Sequence, residues 1–204
     1  MVTLIDYGAG NIRAFCYVYK RLGIPVVIAK GIDDIYCARK LILPGVGAFD
    51  HAMKKFNETG LREAVEHKVF KEKVPFLGVC VGMQMLAGTS EEGDLPGLNW
   101  IKGRVKKLVN STSLSPPRLP HMGWNDINVL NGHQLFSGLE SSPKFYFLHS
   151  YYFECDNPNN VQAKSEYYQE FACAVNEKNI FGVQFHPEKS HHYGAQLLKN
   201  FSEL

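Results

Sequence analysis

No stretch of this 204-residue chain is long and apolar enough to suggest a membrane span. The most apolar run, Val74 to Ala87, contains Gln84 and two glycines and falls short of the roughly 20 residues a spanning helix needs. No secretory leader is expected either: Met1 to Asp6 has no basic start, and Asp6 breaks the apolar run. Charge of one sign is scarce. Twenty-two Lys and Arg face 20 Asp and Glu, a net +2, which makes no electrostatic case for nucleic acid or an anionic membrane as partner. The five cysteines, at 16, 37, 80, 155 and 173, form no C-x-x-C pair, which excludes a zinc ribbon or a thioredoxin motif. Their odd number and scatter speak against a disulfide framework and for a reducing compartment. The expected location is the cytoplasm, where the sequons at Asn57, Asn110 and Asn200 are chance matches. Neither an internal repeat nor a low-complexity tract is visible. What remains is 45% hydrophobic and 21% charged. That is ordinary globular composition, enough for one domain over residues 1–204 without disulfide or metal staples.

The first half alternates strand and helix signals. Val2 to Ile5, Pro25 to Ala29, Lys40 to Leu43 and Val74 to Val79 read as short strands. Ile12, Phe15, Cys16, Tyr19 and Leu22 recur at helical spacing, which predicts a helix over 11–22 closed by Gly23. A long helical stretch is expected from Phe49 to Lys71, and a helix-like segment from Gly82 to Ala87. Alternation of this kind, with continuous apolar strands, predicts an α/β fold: a mostly parallel sheet flanked by helices. Such sheets bind ligands at the carboxyl ends of their strands. Residues 88–120 read as loops and short hairpins, including the run Ser115 to Arg118. Strands are expected at Phe145 to His149, Phe171 to Asn176 and Ile180 to Phe185, with a hairpin turn over Asn176 to Asn179. A last helix is expected over Tyr193 to Phe201.

The chemistry gathers around Gly78-Val-Cys80-Val-Gly82, at the junction of a buried strand and a helix. This G-x-C-x-G pattern is the thiol counterpart of the G-x-S-x-G nucleophile elbow. The glycines allow a tight, strained turn, and the helix start places N–H dipoles near the sulfur, which favours thiolate. His186-Pro-Glu188 follows the last strand. Pro187 keeps His186 extended, and residues i and i+2 of an extended segment face one side, so Glu188 can orient the imidazole. The turn Pro44-Gly-Val-Gly47 ends another strand and can offer backbone donors to a ligand. Three other readings fail. His186-x-Glu188 lacks the P-C-x-x-C of a zinc deaminase. His191 and His192 are adjacent on a helix and diverge, so they make no metal site. Gly8-x-Gly10 has Arg13 where a dinucleotide fingerprint needs a third glycine.

The chain resembles the glutamine amidotransferase subunits of imidazole glycerol phosphate synthase, within the triad-type (class I) glutaminases. The resemblance covers essentially the whole chain. It rests on Ile5-Asp-Tyr-Gly-Ala-Gly-Asn11, Leu43-Pro-Gly-Val-Gly-Ala-Phe49, Gly78-Val-Cys-Val-Gly-Met-Gln84, Pro120-His-Met-Gly-Trp-Asn125, Phe147-Leu-His-Ser-Tyr-Tyr152 and Gly182-Val-Gln-Phe-His-Pro-Glu-Lys-Ser190. It implies a flavodoxin-like amidotransferase fold with extra antiparallel strands in the second half. It also implies Cys80 as nucleophile, His186 as general base and acid, and Glu188 as the residue orienting it. The oxyanion hole would be the N–H of Val81 with a second donor from Val46 or Gly47. Gly47, Gln84, Ser150 and Tyr151 would hold the substrate, L-glutamine.

The same resemblance implies a partner, a separate cyclase subunit that consumes the ammonia in a heterodimer, with His121, Met122 and Trp124 facing it. No metal or organic cofactor is expected. Two departures from the family pattern, the segment Glu92 to Trp100 and the pair His191-His192, do not touch the triad. They leave open a paralogous glutaminase that feeds a surface-sugar synthase. A stand-alone Cys–His hydrolase would explain the triad but not Pro120 to Asn125. A non-enzymatic scaffold would not need the intact Cys80, His186 and Glu188.

Overall fold

Five short runs of aliphatic residues build the spine of the sheet in this computed structural model, which describes residues 1–109, 117–130, 134–140 and 142–204. Numbered in chain order, they are β1 (Val2–Ile5), β2 (Val26–Ala29), β3 (Leu41–Gly45), β4 (Phe76–Cys80) and β13 (Ile180–Val183). They lie side by side in the order β2-β1-β3-β4-β13, all parallel. Every residue of β1, β3, β4 and β13 is buried, as expected of strands covered on both faces. Beyond β13 the sheet turns antiparallel through β12 (Gln169–Glu177), β10 (Tyr151–Cys155) and β6 (Gly103–Lys107), and ends on β5 (Thr89–Ser90). A branch adds β11 (Val161–Tyr167), which pairs with β12 and β8 (Asn128–Val129). A separate antiparallel ribbon joins β7 (His121–Asp126) to β9 (Lys144–His149).

The helices are α1 (Ile12–Arg21), α2 (Ile32–Tyr36), α3 (Phe49–Glu58), α4 (Arg62–Glu66), α5 (Val81–Gln84) and α6 (His191–Glu203). On α1, Phe15 and Tyr19 are fully buried one helical turn apart, each contributing about 1.5–3 kcal/mol of apolar burial. Gly23, at φ +67°, closes this helix from the left-handed region. α6 packs against α1, and α3 against α5.

The structure departs from expectation at several points. The long helical stretch breaks: Gly60, at φ +70°, separates α3 from α4, and α4 runs into a π-helical turn over His67–Lys71. Pro44 and Gly45 belong to β3, not to the turn, because they pair in register with Val79 and Cys80. The helix after Cys80 is a single turn, and β13 stops at Val183, two residues early. α6 starts at His191, and α2, β10 and β11 were not anticipated. The hairpin before β13 stands where expected, with Lys178 at φ +57°. Asn110, Ser115 and Pro116 lie outside the described residues.

Candidate active site

β4 delivers Cys80 to the carboxyl end of the sheet, and the chain reverses there into α5. Cys80 pays for this with φ +55° and ψ −112°, a conformation that costs a non-glycine residue roughly 1–3 kcal/mol. Close packing holds it. A β-carbon at Gly82 would collide with the Leu43 carbonyl, and one at Gly78 with the Gly82 carbonyl. Only glycine on both sides of the cysteine lets α5 pack this tightly on β3 and β4.

His186 comes from the segment just past β13. It is extended, with φ −101° and ψ 92°, and its N–H donates to the Tyr146 carbonyl at 2.8 Å. Glu188 arrives differently from the expected extended geometry. Pro187 opens a 3-10 turn over Pro187–Lys189, its fixed φ suiting a first helical position. That turn swings Glu188 Oε1 to 2.9 Å from His186 Nδ1, with both side chains buried. Burial alone pushes the imidazole toward its neutral form. The neighbouring Cys80 sulfur and the Glu188 carboxylate outweigh that, and the net effect raises the His186 pKa. The arrangement therefore favours an imidazolium between a sulfur and a carboxylate. That is the constellation of a cysteine nucleophile with its base and orienting acid.

These groups open on a cavity of about 100 Å³ lined by Val46, Gly47, Cys80, Val81, Gln84, Glu92, Leu148, His149, Ser150, Tyr151 and His186. The volume lies well below the roughly 300–1,000 Å³ of drug-sized pockets, so it suits a ligand of amino-acid size. The structure thus gathers Cys80, His186, Val46, Gly47, Val81, Gln84, Ser150 and Tyr151 around one cavity, and Glu188 stands behind His186. Gln84 is buried, and its Nε2 is already committed to the Tyr151 carbonyl and to Gln184 Oε1, both at 3.0 Å. Only its Oε1 remains to meet a ligand.

The three residues expected to face a partner separate. Met122 is 66% exposed and Trp124 47%, one face of β7, with Trp124 stacked on His191 at 5.1 Å. His121 points the other way and is 4% exposed, so its expected place on that surface is corrected by the strand's alternation. It stacks on Phe147 and Tyr167 and bonds His149 at 3.0 Å. His149 Nδ1 must donate to the Tyr151 carbonyl at 2.8 Å, since a carbonyl only accepts. Its Nε2 then accepts from His121 Nδ1, and both rings are neutral. Burial lowers both pKa values, to about 3 for His149 and about 4 for His121.

Sequence reasoning missed three residues here: Glu92, His149 and Gln184. Glu92 is the cavity's one carboxylate. Its Oε2 accepts from Phe49 N–H at 2.9 Å, and burial raises its pKa despite that bond. No local motif marks it. Gln184 was in view only as part of the Gln184-Phe-His-Pro-Glu188 segment, and it lies in the bend that follows β13.

A cysteine elbow at the carboxyl end of a parallel sheet, served by a His–Glu pair over a small cavity, defines a class of hydrolytic amidotransferase, and the family model for class-I glutamine amidotransferases matches residues 3–203. The chain belongs to that family. Among curated relatives, it is 57% identical to imidazole glycerol phosphate synthase subunit HisH of Bdellovibrio bacteriovorus and 48% identical to the same-named subunit of Leptospira interrogans. Each alignment covers 204 residues and all of both chains. A solved glutamine amidotransferase superposes with a TM-score of 0.76 at 22% identity, covering 99% of this chain and 97% of that one. The structure of PurLQS from Thermotoga maritima gives 0.68 at 20% identity, with coverage of 99% and 97%. At such identities these two matches show the shared fold.

Proposed function

We infer that this chain is the glutaminase subunit of an imidazole glycerol phosphate synthase. It hydrolyses L-glutamine to L-glutamate and ammonia. The ammonia passes to a separate cyclase subunit, which makes imidazole glycerol phosphate and aminoimidazole carboxamide ribotide in histidine biosynthesis. The observation that carries the chemistry is the strained Cys80 beside an imidazole whose far nitrogen sits 2.9 Å from a buried carboxylate. Full-length identity to synthase subunits supports the pathway.

In this reading the Cys80 thiolate, paired with the His186 imidazolium, attacks the side-chain amide carbon of glutamine. The oxyanion is met by Val81 N–H at the start of α5, with a second donor from the Val46–Gly47 turn, where Gly47 sits at φ +92°. His186 gives its proton to the departing nitrogen, and ammonia leaves behind a thioester. Neutral His186 then takes a proton from water, whose oxygen attacks the thioester carbon, and glutamate leaves as the thiol is restored. Glu188 holds the ring and stabilises its cationic form. The Glu92 carboxylate suits the α-ammonium of the substrate, and Ser150, Tyr151 and the free Oε1 of Gln84 suit its remaining polar groups.

Exposed Met122 and Trp124 support a partner surface on β7. A Met and a Trp beside Gly123 are fitting interface anchors. The patch continues through His191 into a groove lined by Tyr17, Arg21, Lys189 and His192. The test is glutamate release by the purified protein, alone and with a cognate cyclase carrying its nucleotide ligand, with Cys80→Ala as control. Release that rises strongly in the complex and vanishes in the variant is expected. Full activity alone, unmoved by any cyclase, would mean an independent hydrolase.

A further inference from the structure

Gln184 is 0% exposed and stands outside the lining of the site cavity, yet its Nε2 lies 3.7 Å from Cys80 Sγ and its Oε1 3.0 Å from Gln84 Nε2. Which end of an amide faces a neighbour is a matter of its hydrogen bonds, and here they leave one solution. The Tyr151 carbonyl can only accept, so the Gln84 atom 3.0 Å from it is the donor nitrogen. The same nitrogen is 3.0 Å from Gln184, so Gln184 must present its oxygen there. Its NH₂ is thereby turned to the sulfur. The Tyr151 carbonyl also receives His149 Nδ1–H, so the reference point of this chain is held from two sides.

Besides its titratable neighbours, the His186 imidazole and the Tyr7 hydroxyl, the Cys80 sulfur has two uncharged polar neighbours, the Gln184 amide and the Leu148 carbonyl, each at 3.7 Å. These two neighbours act in opposite directions. A carbonyl rewards the thiol, which can donate to it, and repels a thiolate. An amide NH₂ has no lone pair to offer and rewards the thiolate. We propose that Gln184 is a positioning residue for the nucleophile: its NH₂, aimed by Gln84, holds the Cys80 sulfur as thiolate against the pull of the Leu148 carbonyl.

The proposal rests on Cys80 being the nucleophile, and its test reads Cys80 without substrate. Alkylation of Cys80 by iodoacetamide is followed across pH by peptide mass spectrometry, with exposed Cys37 as the internal reference. Gln184→Met removes the donor at similar volume. Gln184→Glu keeps the acceptor for Gln84 but sets a carboxylate against the sulfur. At neutral pH alkylation falls about tenfold in Gln184→Met and further in Gln184→Glu, while the alkaline plateau is retained. In the complex, kcat for glutamate release falls in the same order, and in Gln184→Glu, which keeps the acceptor for Gln84, KM stays within about twofold. A structural role alone would lower the melting temperature without moving the pH profile. Variants that match the wild-type profile, or that change KM alone, overturn the proposal. If neither variant folds, the Gln184 side-chain amide resonances of the ¹⁵N-labelled wild type decide. They shift on alkylation of Cys80 if the bond exists, and an unmoved pair overturns it. If wild-type Cys80 itself reacts no faster than Cys37, the nucleophile reading fails instead, and the two failures are distinguishable.

Discussion

Glu188→Gln isolates what the buried carboxylate does, because it keeps the side-chain volume and an oxygen that can face His186 Nδ1. Glu188 Oε1 stands 2.9 Å from that nitrogen, both side chains are almost wholly buried, and Glu188 Oε2 has no hydrogen-bond partner among the described residues. The carboxylate therefore spends its charge on the imidazole. A hydrogen bond to a charged group contributes about 1.5–3 kcal/mol and a neutral one about 0.5–1.5. The substitution thus withdraws about 1–2 kcal/mol from the imidazolium, a 5- to 30-fold loss in kcat for glutamate release if the amide oxygen faces the ring. If the amide turns its NH₂ to Nδ1, the ring is forced into the wrong tautomer, and the loss approaches the roughly 10⁴-fold cost of that error in a triad. The pH profile gives the sign. Together with Cys80, Glu188 raises the His186 pKa, so imidazolium survives to higher pH in the wild type. Without the charge, the proton is lost earlier and the alkaline limb of kcat/KM moves to lower pH. The measurement is stopped assays of glutamate from pH 6 to 10 on the complex. A folded variant within threefold of wild type, with its alkaline limb unmoved, would refute the reasoning.

Three further outcomes are expected. Glu92→Gln raises KM for glutamine about 10- to 100-fold with a smaller change in kcat, the worth of a charged hydrogen bond to an α-ammonium; an unchanged KM in steady-state kinetics removes Glu92 from substrate recognition. Trp124→Ala weakens the complex with the cyclase by about 30-fold in Kd, a hot-spot loss of about 2 kcal/mol readable by calorimetry, and an unaltered Kd moves the partner surface elsewhere. Burial holds His121 and His149 neutral, with pKa values lowered from 6.5 to about 4 and about 3, so the unfolded chain binds their protons first and stability falls as pH drops from about 6.5 toward 4. Each contributes a slope of about 1.4 kcal/mol per pH unit, whereas His186, raised, is protonated in both states there. In urea titrations between pH 6.5 and 4.5, His121→Phe removes one histidine's share of that slope, and a wild-type slope in the variant contradicts the buried neutral pair.

What the residues revealed in advance was whatever rests on short-range pattern. Gly78-Val-Cys80-Val-Gly82 shows an elbow because two glycines four residues apart bracket a cysteine, and the backbone at Cys80 is as strained as that spacing requires. The parallel spine was legible in its continuous apolar runs. β10 and β11 were not, since Tyr151–Cys155 and Val161–Tyr167 mix polar and aromatic residues and become strands by pairing with β6 and β12. Glu188 was expected beside His186 and stands there, but by another route, because Pro187 keeps the residue before it extended and at the same time starts a 3-10 turn after it.

The interior of the site was hidden for a different reason. Its polar groups are chosen by partners far away in the chain, and a sequence does not say which lone pair faces which proton. His121 illustrates this. It sits between Pro120 and Met122 in a segment that resembles a partner-facing motif, and strand alternation turns it inward while Met122 and Trp124 turn out. Once inside, it must find an acceptor, and His149 can accept at Nε2 only because its one N–H, on Nδ1, donates to the Tyr151 carbonyl. That same carbonyl orders Gln84, and Gln84 orders Gln184. A single acceptor on β10 thus determines the tautomers of two histidines and the orientation of two amides. The last of those amides touches the Cys80 sulfur. The strand that sequence reading passed over is therefore the one that sets the polarity of the cavity wall. This also explains why Cys80, His186 and Glu188 alone, all legible in the sequence, underdescribe the site.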